Sequence, residues 1–113
     1  MKRLIYLLPL FFCALALSLG QYDATGSINT TGTTVVMATV TGAAQIHGLT
    51  LVNDDSTENL LVCPNATDVS ANCTFKVKPG ESYVLSGQDA KECIKIHFEA
   101  DANTTDYRLL ITY

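Results

Sequence analysis

The 113-residue chain has no tryptophan, only two histidines and only three prolines. It is also short of positive charge. Seven Lys and Arg stand against eleven Asp and Glu, a formal net charge of −4. With no basic patch to neutralise phosphates, a nucleic-acid binder is excluded. The catalytic signatures are missing too: there is no Gly-x-Ser-x-Gly, no His-Glu-x-x-His and no phosphate-cradling glycine loop. A chain of this size has little room for a deep cleft, so the expectation is a protein that is not an enzyme and needs no cofactor. No Cys-x-x-Cys occurs, and His47 and His97 lack ligand spacing to any cysteine, so no metal site is expected from the spacing.

Only one long apolar run exists, from Leu4 to Leu19, behind the basic Met1-Lys2-Arg3 and ahead of the small residues Ser18 and Gly20. That arrangement predicts a signal peptide over 1–20, cut before Gln21. The run is short for a membrane span, and no later run reaches the roughly 18 residues one needs. The chain is therefore expected to be secreted, extracellular or periplasmic, with no stable membrane span. Without Lys2 and Arg3 the remainder carries five basic and eleven acidic residues, a formal −6.

Four cysteines look like two disulfides, but Cys13 leaves with the signal. Cys63, Cys73 and Cys93 remain, and export places them where a pair should close. Cys63–Cys73 is the expected bond, because Pro64 to Asn72 is polar, turn-rich and reads as a loop between two strands. Closing such a loop contributes roughly 2–3 kcal/mol in the chain-entropy model. Cys93 is then a free, half-buried thiol, or else one half of an intermolecular disulfide.

After a flexible polar lead-in, 21–32, the pattern is of short β-type runs separated by turn residues. This lead-in either lacks structure of its own or joins an edge. The runs are Thr33–Thr41, Ala44–Val52 with Gly48 as a bulge or close-approach point, Glu58–Cys63, Thr74–Lys78 and Glu81–Ser86. The last two alternate most clearly: Ile94, Ile96 and Phe98 against Lys95, His97 and Glu99, then Tyr107, Leu109, Ile111 and Tyr113 against Arg108, Leu110 and Thr112. About seven strands over 33–113 predict an all-β, antiparallel sandwich, jelly-roll or Ig-like, as one domain. His97, opposite Ile96, is expected to face solvent.

Two acidic runs are candidates for calcium: Asp54, Asp55 and Glu58, and Glu99, Asp101, Asn103 and Asp106. Neither has the full ligand spacing of a calcium loop, and solvated turns explain both. Four Asn-x-Thr sequons occur among only six asparagines. Asn29, Asn65 and Asn103 are the candidate glycosylation sites, and Asn72 is the poorest because Cys73 fills its middle position. Tyr83, Tyr107 and Tyr113 suit core or sheet faces better than a glycan-binding platform.

The run Thr33-Thr34-Val35-Val36, then Gly48-Leu49-Thr50-Leu51-Val52-Asn53, the turn Lys78-Pro79-Gly80-Glu81-Ser82 and the closing Ala100-Asp101-Ala102-Asn103-Thr104-Thr105-Asp106 resemble small β-sandwich modules of tailed-phage virion and bacterial surface proteins. The resemblance implies a structural or decorating role with no catalytic residues. The strand from Asp106 to Tyr113 is also similar to the closing strand of fimbria-type subunits. The sequence thus predicts a secreted β-sandwich acting as a structural or surface-binding module. It would meet a protein partner or further copies of itself through an edge strand, with Thr33–Thr41 the candidate edge. A glycan- or calcium-binding module and a virion or fimbria-type assembly subunit are the alternatives.

Overall fold

A computed structural model describes residues 20–70 and 73–113. The signal segment and Asn72 lie outside them, save Gly20. Ten elements follow in order: β1 (Gln21–Ile28), β2 (Thr33–Val36), α1 (Met37–Thr41), β3 (Gly48–Asn53), β4 (Leu60–Pro64), β5 (Phe75–Val77), β6 (Ser82–Ser86), α2 (Gly87–Glu92), β7 (Lys95–Ala100) and β8 (Thr105–Thr112). All ladders are antiparallel.

The strands form two four-stranded sheets, ordered β1-β8-β3-β6 and β2-β7-β4-β5. Only one of the seven links between consecutive strands, β4 to β5, stays within one sheet, and the other six cross the sandwich. Eight strands wound this way are a jelly roll, which decides between the two sandwich types left open by the pattern.

Period-two alternation places the core. Leu49, Leu51, Leu109 and Ile111 point inward from the first sheet and Leu60, Val62, Ile96 and Phe98 from the second, all essentially inaccessible. Phe98 meets Tyr107 edge-on across the interface, with ring centroids 4.8 Å apart. Asn53 is a fully buried polar residue at the margin of this core. Its Nδ2 donates to the carbonyls of Glu58 (2.7 Å) and Val77 (2.9 Å), and its Oδ1 accepts from the Asp55 amide at 3.0 Å. These bonds satisfy the buried amide and tie β3, β5 and the chain entering β4 together.

Three local readings change in the folded chain. The lead-in is not flexible along its length: Gln21–Ile28 is an eight-residue strand laddered with β8 throughout, so it joins an edge and raises the count to eight. Its alternation is masked because its inward residues, Tyr22, Ala24 and Gly26, are weakly apolar or small. The expected strand Thr33–Thr41 is split. The partner β7 begins at Lys95, so the ladder stops at Val36. Met37 donates a last bond to the Ile94 carbonyl at 2.9 Å, then turns inward as the first residue of a short helix. Gly42 ends that helix at φ 71°, a left-handed position that costs glycine nothing. The run predicted to begin at Ala44 becomes a strand only from Gly48. There a Cβ would lie 2.9 Å from the Thr112 hydroxyl, so β8 passes too close for a side chain.

Candidate assembly edges and a polar cluster under the disulfide loop

The hydrogen-bond phase of β1 follows from its first ladder pair. Gly20 and Tyr113 exchange both backbone bonds, 2.8 and 3.0 Å. In an antiparallel ladder that parity repeats every second residue, so Tyr22, Ala24, Gly26 and Ile28 bond to β8. Gln21, Asp23, Thr25 and Ser27 therefore direct their N–H and C=O groups outward, and their side chains are exposed. At the opposite margin of this sheet, Asn53 and Glu81 share a backbone bond of 3.0 Å, so Ser82, Val84 and Ser86 of β6 aim outward. Val84 is 59 % exposed. Neither strand contains Lys, Arg or Pro, the residues that commonly blunt an open edge. The other sheet ends in strands of only four and three residues. Thr33–Val36 does lie at an edge, but among the described residues the longest open edge is β1.

Cys63 and Cys73 are bonded, with Cα atoms 5.5 Å apart. The ladder sets Cys63 opposite His97, and both face away from the core. The loop leaving Cys63 bends back across this outer face. Asn65 starts the bend at φ 56°, held by its amide on the Lys95 carbonyl (2.8 Å) and by its side chain: Oδ1 accepts from the Ile94 amide at 2.9 Å. Its Nδ2 donates to the Glu92 carbonyl at 3.3 Å.

This loop corrects the expectation that His97 is exposed. The residue is 4 % exposed although it points outward, because the disulfide loop covers it. Its Nδ1 lies 3.0 Å from Thr34 Oγ1, and that hydroxyl donates to the Thr67 carbonyl at 3.4 Å. Its Nε2 lies 3.1 Å from Glu99 Oε2. Asp68, from the loop, completes a group of three in which one ligand-type atom from each residue lies within 4.8 Å of the others. No local spacing signals this group, since its members come from a loop and a strand about 30 residues apart.

The other candidates are dispersed. The first acidic run is consumed by the fold: Asp54 takes the Arg108 Nε at 2.6 Å, and the Asp55 carboxylate accepts from the amides of Glu58, Thr57 and Asp106. The second is divided, with Asp101 paired to Lys76 at 3.6 Å and Glu99 turned to His97. Those amides, Glu58 foremost, hold the Asp55 carboxyl below its ordinary value, as a capping acceptor rather than a calcium ligand. Asn29 and Asn103 are exposed; Asn29 Oδ1 accepts from the amides of Thr31 and Gly32. Asn103 Nδ2 donates to Glu58 at 3.3 Å. Tyr83 pairs with Phe75 at 5.3 Å, while Tyr107 packs on the core, so they build no common platform. Cys93 is a free thiol, 2 % exposed, and burial pushes it above its ordinary value. Its Sγ donates to the Lys95 carbonyl at 3.3 Å. No helix among the described residues is long and apolar enough to cross a membrane.

No protein-family model matches the chain, and no curated protein matches its sequence. Solved structures do match its fold. A structure of Bacillus endospore appendages, disulfide-linked pili, is 15 % identical over 84 % of this chain and 87 % of that one, with a TM-score of 0.50. Protein NMB1881 from Neisseria meningitidis is 9 % identical over 83 % of this chain and 75 % of that one, with a TM-score of 0.47. The SPBc2 prophage-derived protein YomS is 9 % identical over 83 % and 96 %, also at 0.47. The likeness to the endospore appendage structure is one of fold.

Proposed function

We propose that this chain is an exported, non-enzymatic structural subunit that associates with further copies of itself by adding a strand at β1. The observation that carries the reading is the eight-residue edge at Gln21–Ile28, with outward amides at Asp23, Thr25 and Ser27 and no charge or proline arranged to blunt them apart from Asp23. The same sheet ends at its far margin in β6, also without charge or proline. An edge at each end of one sheet suits head-to-tail growth, which closes into a ring or extends as a filament. The Cys63–Cys73 bond supports export, since disulfides persist in oxidising compartments. The similar fold in disulfide-linked pili of Bacillus is compatible with such a role.

Thr25→Pro tests this on the full exported chain. The substitution removes an outward N–H and leaves the β8 ladder intact. Size-exclusion chromatography with light scattering and negative-stain microscopy should show assemblies for the natural sequence and monomers for the variant, with matching circular dichroism. Assemblies unchanged by Thr25→Pro, or a natural chain that stays monomeric when concentrated, would overturn the reading.

A further inference from the structure

The polar group under the disulfide loop has a chemistry that strand addition does not use. His97 is buried, and each ring nitrogen has a polar neighbour, Thr34 Oγ1 at 3.0 Å and Glu99 Oε2 at 3.1 Å. When the Thr34 hydroxyl gives its hydrogen to the Thr67 carbonyl, 3.4 Å away, its oxygen accepts from Nδ1–H, the tautomer that frees Nε2. In that tautomer a bare Nε2 faces Glu99 Oε2 at 3.1 Å. Two acceptors so close need something electropositive between them. A proton serves, and so does a metal ion.

We propose that His97 Nε2, Glu99 and Asp68 form a binding site for a divalent transition-type ion, with zinc as the reference case. Four ligands about 2.1 Å from a tetrahedral ion stand roughly 3.4 Å apart. The Nε2 to Oε2 separation of 3.1 Å already fits that spacing. Asp68 lies at most 4.8 Å from these atoms on an exposed side chain. One of its oxygens is occupied by the Val69 amide at 2.8 Å, which leaves the second to close on the ion. The Thr34 bond to Nδ1 is the outer partner that metal-bound imidazoles usually have, fixing tautomer and ring plane. One nitrogen and two carboxylates suit zinc and its neighbours rather than calcium or magnesium, which take all-oxygen sets. The fourth position is left to water or to a donor from another molecule.

The site is distinct from the β1 and β6 edges and does not depend on the assembly reading. A bound ion would clip the disulfide loop, through Asp68, to β7, through His97 and Glu99. The test uses the oxidised full chain without a histidine tag, stripped with chelator and dialysed against zinc chloride, with metal counted by atomic absorption. One zinc per chain is expected. Asp68→Asn, an exposed change that leaves the fold alone, should weaken binding at least tenfold, and Glu99→Gln and His97→Gln should abolish it. Thr34→Val, which removes the outer partner of Nδ1 together with its bond to the Thr67 carbonyl, should weaken it about ten- to a hundredfold. His47→Gln, at the other, exposed histidine, should change nothing. The proposal is overturned if the natural chain takes up no stoichiometric zinc, if Asp68→Asn and Glu99→Gln bind as it does, or if His47→Gln loses the ion.

Discussion

Cys63 and His97 stand opposite each other on the outer face of the second sheet, and the disulfide from Cys63 starts the loop that buries His97. One covalent bond therefore does two things. It shortens the unfolded chain's reach, and it converts a solvent-facing strand position into a covered polar site.

Opening that bond should separate the two effects. Cys63→Ala with Cys73→Ala should lower stability by about 2–3 kcal/mol, read from urea unfolding. Hydrogen exchange should rise at Asn65 and Ile94, whose bonds hold the loop against the turn before β7. Unchanged exchange there would mean that Asn65 alone closes the loop.

Asn53 should be among the costliest polar positions to change. Asn53→Ala leaves the carbonyls of Glu58 and Val77 without their donor and should cost about 2–4 kcal/mol over the two bonds. Chemical denaturation gives the value. A loss below about 1 kcal/mol would show that water replaces the amide.

Cys93 should resist alkylation in the native protein and react only as the chain unfolds, because its Sγ is covered and its thiolate is disfavoured by burial. The pH dependence has a definite sign. Its folded value is raised above the ordinary 9.0, so the folded state holds the proton longer. That contribution to stability is present below the ordinary value and is lost as pH rises through the folded one. Cys93→Ala should flatten the alkaline limb of a stability-against-pH curve. Rapid labelling of the native thiol, or a non-reducing dimer lost in Cys93→Ala, would show that the 93–95 turn opens.

The far edge can be tested separately from β1. Val84→Pro removes an outward amide from β6 without touching its bonds to β3. If growth runs head to tail, this variant and Thr25→Pro should each stop it, and mixing the two should restore pairs but not longer assemblies. Dimers that survive Val84→Pro would place β1 against β1, as a closed two-fold pair.

The core strands were legible because burial and period agree. Leu109 and Ile111, or Ile96 and Phe98, alternate with polar residues, and a pleated strand has no other way to bury one set. The Cys63–Cys73 pairing was legible for a similarly local reason, a short polar loop between two strands. Gln21–Ile28 was not. Gly26 and Ala24 carry too little apolar surface to mark a face, and the strand is held by its ladder with β8, more than 70 residues away in sequence.

By itself, then, the sequence determined an all-β sandwich and its disulfide, since alternation and loop length act between near neighbours. Tertiary structure alone decided the jelly-roll order of strands, the identity of the open edges and the burial of His97. Each depends on which distant segment lies alongside: β8 for Gln21–Ile28, β7 for the end of the strand at Val36, and the loop carrying Thr67 and Asp68 for the imidazole. Side-chain period states which face a residue occupies; it does not state what, if anything, the chain later lays across that face.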